Sequence, residues 1–433
     1  MKTKHLFIAL LLGLQSHNTW AQEKNNLNAS LTDLFAIADS QNRDLKILDN
    51  LQKIAEASIK EEKEKLLPNV NATLTFSYNG NGWISDRNFS NGFSVPIPHY
   101  GNNFALEAQQ LIYAGGAAKS AIELARLNHE SSILDSDKAR QNIRLGITGY
   151  YLEMQKLNNQ KIVIERNIAQ TKRMIDQIKA KTNQGVALKN NITRYELQLQ
   201  SLNINLLQLN NGIKIINNDL VNLLQLPNET TITPQSEIES NEMQNWLNLA
   251  KNDSPELKQA TLQIEQAKKH EDLVKSEKLP QVFAFASNYL NGPITIEIPA
   301  INKNFNYWYV GVGLKYDLST LYKNQTKASK ANLMTRNSEE AQQKTIDELA
   351  TKISSAEIKY NETLEVYQTR LKSIELANQN YTVVRNRYLN DLSLITEMLD
   401  AENAKIDAEL QAENAKINIL FHYYQLKKLT GTL

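Results

Sequence analysis

Apolar and polar residues alternate along the stretch that follows Pro68. The residues just before Pro68 are rich in Lys and Glu and lack this alternation. A period of two residues predicts a β-strand with one apolar and one polar face. Proline disfavours helix at the preceding residue, so the pattern predicts a charged helix that ends here and passes into a strand. The apolar positions are Val70, Ala72, Leu74, Phe76 and Tyr78.

The same pattern returns in the second half of the chain. Residues 274–289 again contain a Lys/Glu-rich helix end, a Leu-Pro pair and a strand-like stretch, and aligning Pro68 with Pro280 gives an offset of 212 residues. The sequence therefore predicts an internal repeat, with a first copy over 22–245 and a second over 246–433. The expected strands are about 69–79 and 102–113 in the first repeat, and about 281–290 and 306–317 in the second.

Helical patterns occupy most of the remaining sequence. From Ala117 a long run contains neither Pro nor a Gly pair, and a stripe of leucine and isoleucine extends from Leu199 to Leu223. Apolar spacings of three and four over such lengths are typical of coiled-coil packing. The expected helices cover about 43–66, 117–182 and 191–224 in the first repeat, and about 256–278, 323–388 and 393–429 in the second.

One of the four strands has no clear outward face. In the third strand Phe283 and Phe285 compete with Val282, Ala284 and Ala286 for the apolar side. Alternation predicts a strand here, but the sequence leaves open which side of it faces an apolar environment.

Composition narrows the class of protein. The chain has no Cys, which excludes disulfides and thiolate metal sites, and its net charge of +1 gives no electrostatic case for a nucleic-acid partner. Lys2 and Lys4 precede an apolar run at Leu6–Leu14, a pattern that predicts a signal peptide over 1–21. No later stretch approaches the length of a transmembrane helix. Any contact with a membrane must therefore come from the strands.

Strands of about ten residues are long enough to span a bilayer. Four strands cannot close a barrel, because bacterial barrels begin at eight strands and open sheet edges are not tolerated in lipid. If these strands cross a membrane, two chains must share eight strands or three chains must share twelve. The alternative is a soluble α/β protein in which two amphipathic hairpins pack on a coiled coil.

The most specific motif lies at Val383–Gly431. It contains Arg-Tyr before a turn, the triplet Leu399-Asp400-Ala401, and an Ala/Leu-rich helix that closes with Leu and Gly. Residues 181–226 carry a similar pattern, and Leu111–Ala121 contains an aromatic residue followed by a Gly pair. These motifs resemble the TolC-like outer-membrane efflux proteins over essentially the whole mature chain. The second repeat departs from the family pattern, because it has no Gly pair after its last strand.

The resemblance implies an α+β membrane protein with an internal two-fold repeat. Three chains would form a homotrimer with a twelve-stranded outer-membrane β-barrel, four strands per chain, continued by a long periplasmic α-helical coiled-coil barrel. The implied partners are outer-membrane lipid, a periplasmic adaptor (membrane fusion) protein and an inner-membrane pump. The implied function is a passive exit duct for small molecules at the cell outer membrane. A duct for type I protein secretion and a soluble periplasmic coiled-coil scaffold remain as alternatives.

The sequence contains no catalytic constellation, so we expect no enzyme and no cofactor. The six histidines are scattered without ligand spacing, and no metal site is expected within one chain.

A candidate periplasmic gate is implied by the resemblance. Glu397 and Asp400 fall where the family has acidic residues at the periplasmic constriction, and a spacing of three residues puts both on one helical face. Threefold symmetry would place six carboxylates around a narrow pore, where they would favour cations and bind divalent metal. The alternative is two solvated acids on a surface helix. The chain has Asp391 where the family has Gly, and Asn191 where the family often has Asp.

Two further sets of residues complete the predicted sites. The first set comprises candidates for the tip turn and adaptor contact: Gly185, Val186, Tyr388, Asp391 and Leu392. The second set comprises aromatic residues expected at the membrane interface: Tyr78, Trp308 and Tyr316.

Overall fold

The computed structural model describes residues 26–235 and 245–433. The predicted signal peptide lies outside the described residues. The described helices are α1 Leu31–Gln41, α2 Arg43–Glu64, α3 Ala117–Asn183, α4 Lys189–Leu224, α5 Trp246–Asp253, α6 Pro255–Ser276, α7 Thr320–Leu389 and α8 Ile395–Thr430. The described strands are β1 Asn26–Ala29, β2 Asn69–Tyr78, β3 Gly82–Ile84, β4 Phe93–Val95, β5 Tyr100–Ala114, β6 Thr231–Pro234, β7 Gln281–Gly292 and β8 Phe305–Lys315.

Strands β2, β5, β7 and β8 overlap the four stretches in which alternation predicts strands. Two irregular stretches of the sequence hold further strands. The polar residues after α4 contain β6, and the Gly- and Asn-rich loop after β2 contains the hairpin of β3 and β4. These short strands have too few residues for an alternating pattern to reveal them.

The chain divides into two compact units that do not coincide with the two sequence repeats. In its described part, the first unit comprises residues 26–38 and 150–235, and the second comprises residues 39–149 and 245–433. Each unit is therefore built from segments that are distant in sequence.

In the first unit β1 and β6 form a parallel pair that extends from Asn26 and Thr231 to Ala29 and Pro234. The Asn217 side chain of α4 donates to the Thr230 carbonyl at 2.8 Å and accepts from the Ile232 amide at 2.8 Å, which ties α4 to β6. The Tyr151 hydroxyl donates to the Gln235 carbonyl at 2.7 Å. Large buried residues of this unit include Tyr151, Leu152, Met154, Ile164, Ile178, Tyr195, Leu220 and Leu224.

The second unit contains a fully antiparallel sheet in the order β2-β5-β7-β8. The first repeat supplies the hairpin of β2 and β5, the second supplies β7 and β8, and pairing of β5 with β7 joins them. The sheet of one chain does not close, because β2 and β8 are its two edges.

The helices of the second unit form a core beside this sheet. Helix α7 packs along α6 and α8, and the short helix α5 lies against α7 and α8. Trp246 and Tyr423 meet edge to face with ring centroids 5.8 Å apart, within a buried cluster that also includes Leu349, Ile353 and Leu426. Among residues 26–235 and 245–433, no helix has the length and apolar character that a membrane crossing requires.

Candidate functional site

The sheet of the second unit has one apolar and one polar face. Residues opposite each other on neighbouring antiparallel strands project to the same side, so the register assigns every side chain to a face. Val70 pairs with Ala108, Ala108 with Ala286, and Ala286 with Val310. The larger members of this apolar face are Val70, Leu74, Phe76, Tyr78, Phe104, Leu106, Val282, Leu290, Trp308, Val310, Val312 and Leu314.

The opposite face carries most of the polar residues of the strands. Its polar members include Asn69, Asn71, Thr73, Thr75, Asn103, Glu107, Gln109, Ser287 and Lys315. The register also decides the question that the third strand left open. Val282, Ala284 and Ala286 lie on the apolar face, whereas Phe283 and Phe285 lie on the polar one. The sheet thus has the amphipathic character that alternation predicts, with an aromatic addition to its polar side.

The three predicted interface aromatics lie near the ends of the strands. Tyr78 is the last residue of β2 and stacks on His99 of the following loop, with ring centroids 5.3 Å apart. Trp308 is near the loop end of β8, and Tyr316 follows the other end of that strand. Tyr78 and Trp308 are well exposed on the apolar face.

The first junction between helix and strand combines a helix end with a proline. Lys65 caps α2 by donating its amide to the Glu61 carbonyl at 3.2 Å, and β2 begins directly after Pro68. The Gln110 side chain of β5 donates to the Leu66 carbonyl at 3.3 Å. A backbone carbonyl of the connection between α2 and β2 is thereby satisfied.

The Gly pair after β5 is packed against the second Leu-Pro junction. Gly115 and Gly116 have φ angles of 62° and 87°, a left-handed conformation that favours glycine. A Cβ on Gly115 would lie 2.6 Å from the Leu279 Cβ and 2.8 Å from the Ser276 carbonyl oxygen, whereas one on Gly116 would meet nothing within 4 Å. The turn that follows β5 therefore packs closely against the segment that precedes β7.

The second exit turns without glycine, as the sequence requires. The Asp317 carboxylate accepts hydrogen bonds from the Ser319 amide at 2.9 Å and from the Ser319 hydroxyl at 2.7 Å. These bonds, with the hydroxyl contributing most, hold the pKa of Asp317 below its usual range. A side-chain turn thus replaces the Gly pair at this position.

The two helix turns aligned by the repeat share one geometry. Gly185, in the first unit, has φ 75°, and the next residue, Val186, donates its amide to the Lys181 carbonyl at 3.0 Å. Asp391, in the second unit, has φ 60°, and the Leu392 amide donates to the Arg387 carbonyl at 2.8 Å. Both turns are Schellman-type ends of long helices.

Each turn exposes a pair of apolar side chains separated by one residue. In the first unit the pair is Val186 and Leu188, and in the second it is Leu392 and Leu394. Sequence reasoning missed Leu188 and Leu394, although the offset between the turns pairs Leu188 with Leu394. Tyr388 is only 7% exposed, so its ring packs within the second unit.

Glu397 and Asp400 lie in the first two turns of α8 and both are exposed. They share one helical face, and Met398 and Ala401 on the other side are buried. The Ser393 hydroxyl donates to the Glu397 carboxylate, a local bond at the start of the helix where an acidic group is favoured by the helix dipole. In the part of the chain that the structure describes, no group of three or more His, Asp or Glu side chains could hold a metal ion.

Comparisons with known proteins agree on one fold. Residues 34–225 match the family model of the outer membrane efflux proteins, whereas no curated protein matches the chain. The outer membrane protein VceC of Vibrio cholerae is similar at 14% identity and a TM-score of 0.76, over 93% of this chain and 96% of that one. CusC, which forms a transmembrane channel, is similar at 13% identity and a TM-score of 0.79, over 93% and 92%. The MtrE outer membrane channel of Neisseria gonorrhoeae is similar at 17% identity and a TM-score of 0.74, over 93% and 88%.

The chain thus has the fold of the outer membrane proteins to which it is similar. The family model matches much of the first repeat, and the shared fold of long helices with a few strands extends over nearly all of the chain. The resemblance to outer membrane efflux proteins that the sequence predicts is confirmed by the family model and by the shared fold.

Proposed function

We propose that three copies of this chain form the outer-membrane exit duct of a tripartite efflux system. The duct passively conducts small molecules that arrive from a periplasmic adaptor and an inner-membrane pump. The observation that carries the proposal is the four-stranded sheet, which has one apolar face, one polar face and two open edges. In this arrangement the apolar face contacts lipid and the polar face lines a pore.

The open edges support assembly into a ring. Strands in the sheet alternate in direction, so the edge strands β2 and β8 run antiparallel to each other. The β8 edge of one copy can therefore pair with the β2 edge of the next and continue the same antiparallel pattern. Because lipid does not tolerate open edges, copies must be added until the sheet closes. Three copies give twelve strands, which is the number implied by the family resemblance.

The surface of α2 supports the same contact between copies. Ile47, Leu51 and Ile54 are exposed at a spacing of four and three residues, which forms one apolar stripe. Helix α2 leads directly into the edge strand β2, so the stripe continues the side of the chain that an adjacent copy must cover. A neighbouring helix would remove this apolar surface from water.

The helix turns are proposed as the periplasmic end of the duct. Glu397 and Asp400 from three copies would form a ring of six carboxylates that favours cations and binds divalent metal. The exposed pairs Val186 with Leu188 and Leu392 with Leu394 provide apolar surface for the adaptor protein. The chain carries out no chemistry in this role, and the pump supplies the energy for transport.

Membrane fractionation and native mass measurement test the proposal. We expect the protein to remain with the outer membrane until detergent is added, and to have the mass of three chains after extraction. Recovery without detergent, or a monomer in detergent, would contradict the duct. A pull-down from crosslinked membranes then identifies the partners. An adaptor with a drug or metabolite pump supports efflux, whereas a secretion ATPase would assign the duct to type I protein secretion.

A further inference from the structure

The polar face of the sheet carries a continuous row of aromatic rings, termed here the aromatic ladder. Neighbouring ring centroids along the row are 5.2 to 6.5 Å apart, and several pairs are stacked. The members of the ladder are Phe283, Phe285 and Tyr289 of β7 and Phe305, Tyr307 and Tyr309 of β8. The row occupies most of the length of both strands.

Two glycines of β8 make room for the two phenylalanine rings of β7. Phe285 lies opposite Gly311 and Phe283 opposite Gly313 in the register of β7 and β8. A Cβ at Gly311 would lie 2.7 Å from the Phe285 ring, and one at Gly313 would lie 2.4 Å from the Phe283 ring. The rings can therefore lie across the neighbouring strand and remain on the polar side of the sheet.

A carboxylate adjoins the ladder at mid-strand. Glu107 of β5 accepts a hydrogen bond from the Tyr289 hydroxyl. Apart from Lys315 at the helical end of β8, Glu107 is the only charged residue in the four strands. The faces of aromatic rings attract cations electrostatically, so rings and carboxylate together create a surface that favours positive charge.

The rings remain accessible on this face. Tyr307, Tyr309 and Phe305 are 36%, 43% and 53% exposed. Aromatic pairs also stabilise a sheet, but a purely stabilising role does not require exposed ring faces beside the only carboxylate of the strands. The apolar face on the other side of the sheet already provides the surface suited to lipid.

We propose that the aromatic ladder and Glu107 form a contact track for cargo, selective for organic cations that carry an aromatic or apolar group. This inference rests on the proposed duct, since that assignment places the polar face inside the pore. The carboxylate attracts the charge, while successive rings accept the apolar body of the cargo through stacking and cation–π contact. Anions of the same size would be disfavoured.

The test uses the full-length protein in planar lipid bilayers with two soluble probes of similar size. We expect benzyltrimethylammonium, a cation, to block the ion current and benzenesulfonate, an anion, to block it much more weakly. The double variant Tyr307→Leu with Tyr309→Leu removes two rings and keeps apolar side chains. We expect it to weaken block by the cation about tenfold, because two cation–π contacts at exposed rings are lost together. Glu107→Gln should weaken block by a similar factor.

Two controls separate the ladder from general effects on folding and charge. Tyr307→Phe with Tyr309→Phe keeps both rings and should retain block. Phe76→Leu makes the same kind of substitution on the apolar face and should leave block unchanged. Glu397 and Asp400 are identical throughout the series, so differences between variants cannot come from the gate.

The outcomes distinguish this inference from the function on which it rests. If the wild type forms channels that both probes block equally, or if the leucine variant binds the cation as well as the wild type does, the cargo track is overturned and the duct stands. If the wild type forms no channels and is recovered without detergent, the duct itself fails, and the cargo track fails with it.

Discussion

At the scale of single residues, the two helix turns show how one geometry accommodates different side chains. Gly185 adopts its left-handed conformation without steric cost, whereas Asp391 is a residue that tolerates this conformation less well. Both turns nevertheless close with the same backbone hydrogen bond, and each exposes two apolar residues beyond it. The departure from the family's Gly at Asp391 therefore leaves the turn intact.

The acidic residues at the start of α8 provide a prediction at this scale. We expect Glu397→Ala combined with Asp400→Ala to raise single-channel conductance and to abolish block by multivalent cations, because the proposed ring of carboxylates would be lost. Conductance in a planar bilayer, with and without a multivalent cation, measures both effects. Asp407→Ala removes an exposed acid further along the same helix and should change neither. Unchanged block in the double variant would remove these residues from the gate.

At the scale of elements, the junctions between helices and strands determine how the two hairpins fit together. The chain changes from helix to strand at Pro68 and Pro280, and the Gly pair of the first exit lies against the second junction. The second exit instead turns through the hydrogen bonds of Asp317 with Ser319. Equivalent positions of the two repeats thus reach similar turns by different chemistry.

The Gly pair allows a matched test of this contact. We expect Gly116→Ala to lower the free energy of unfolding by about 1 kcal/mol, the cost of a left-handed conformation for a residue with a Cβ. We expect Gly115→Ala to cost about 1–3 kcal/mol more, because its Cβ would also clash with Ser276 and Leu279. The unfolding midpoints of both variants in detergent give the comparison. Equal losses would show that the close approach at Gly115 contributes nothing.

At the scale of the whole molecule, one chain leaves several surfaces without a partner. The edges β2 and β8 are open, the apolar face of the sheet is exposed, and α2 presents an apolar stripe to solvent. Lipid can cover the apolar face, but only a strand can satisfy the hydrogen-bonding groups of an open edge. The proposed trimer would supply that strand and cover the apolar stripe as well.

The stripe on α2 provides a prediction about assembly. We expect Leu51→Asp to prevent trimer formation, since a neighbouring copy would have to bury an unpaired carboxylate. Native mass measurement in detergent reports the number of chains. Asn50→Asp adds the same charge at an adjacent exposed position and should leave the trimer intact. A trimer of normal stability with Asp at position 51 would place the contact between copies elsewhere.

Much of the fold can be predicted from periodicity. Alternation located β2, β5, β7 and β8 to within about two residues, and spacings of three and four indicated the long helices, because these periods follow directly from backbone geometry. The short strands β1, β3, β4 and β6 were not predicted, since a few residues carry no period. The gate and the tip turns came from resemblance and from the repeat, and they stay predictions.

By itself, the sequence determined the periods, the repeat and the turn chemistry, because each of these follows from the order of residues along the chain and needs no knowledge of contacts. Only the tertiary structure decided which side of β7 faces the apolar environment, because Phe283 and Phe285 are placed by pairing with the glycines of β8. It also showed that Tyr388 is buried and that the Gly pair contacts the second Leu-Pro junction. These features depend on contacts between residues distant in sequence, which no local pattern records.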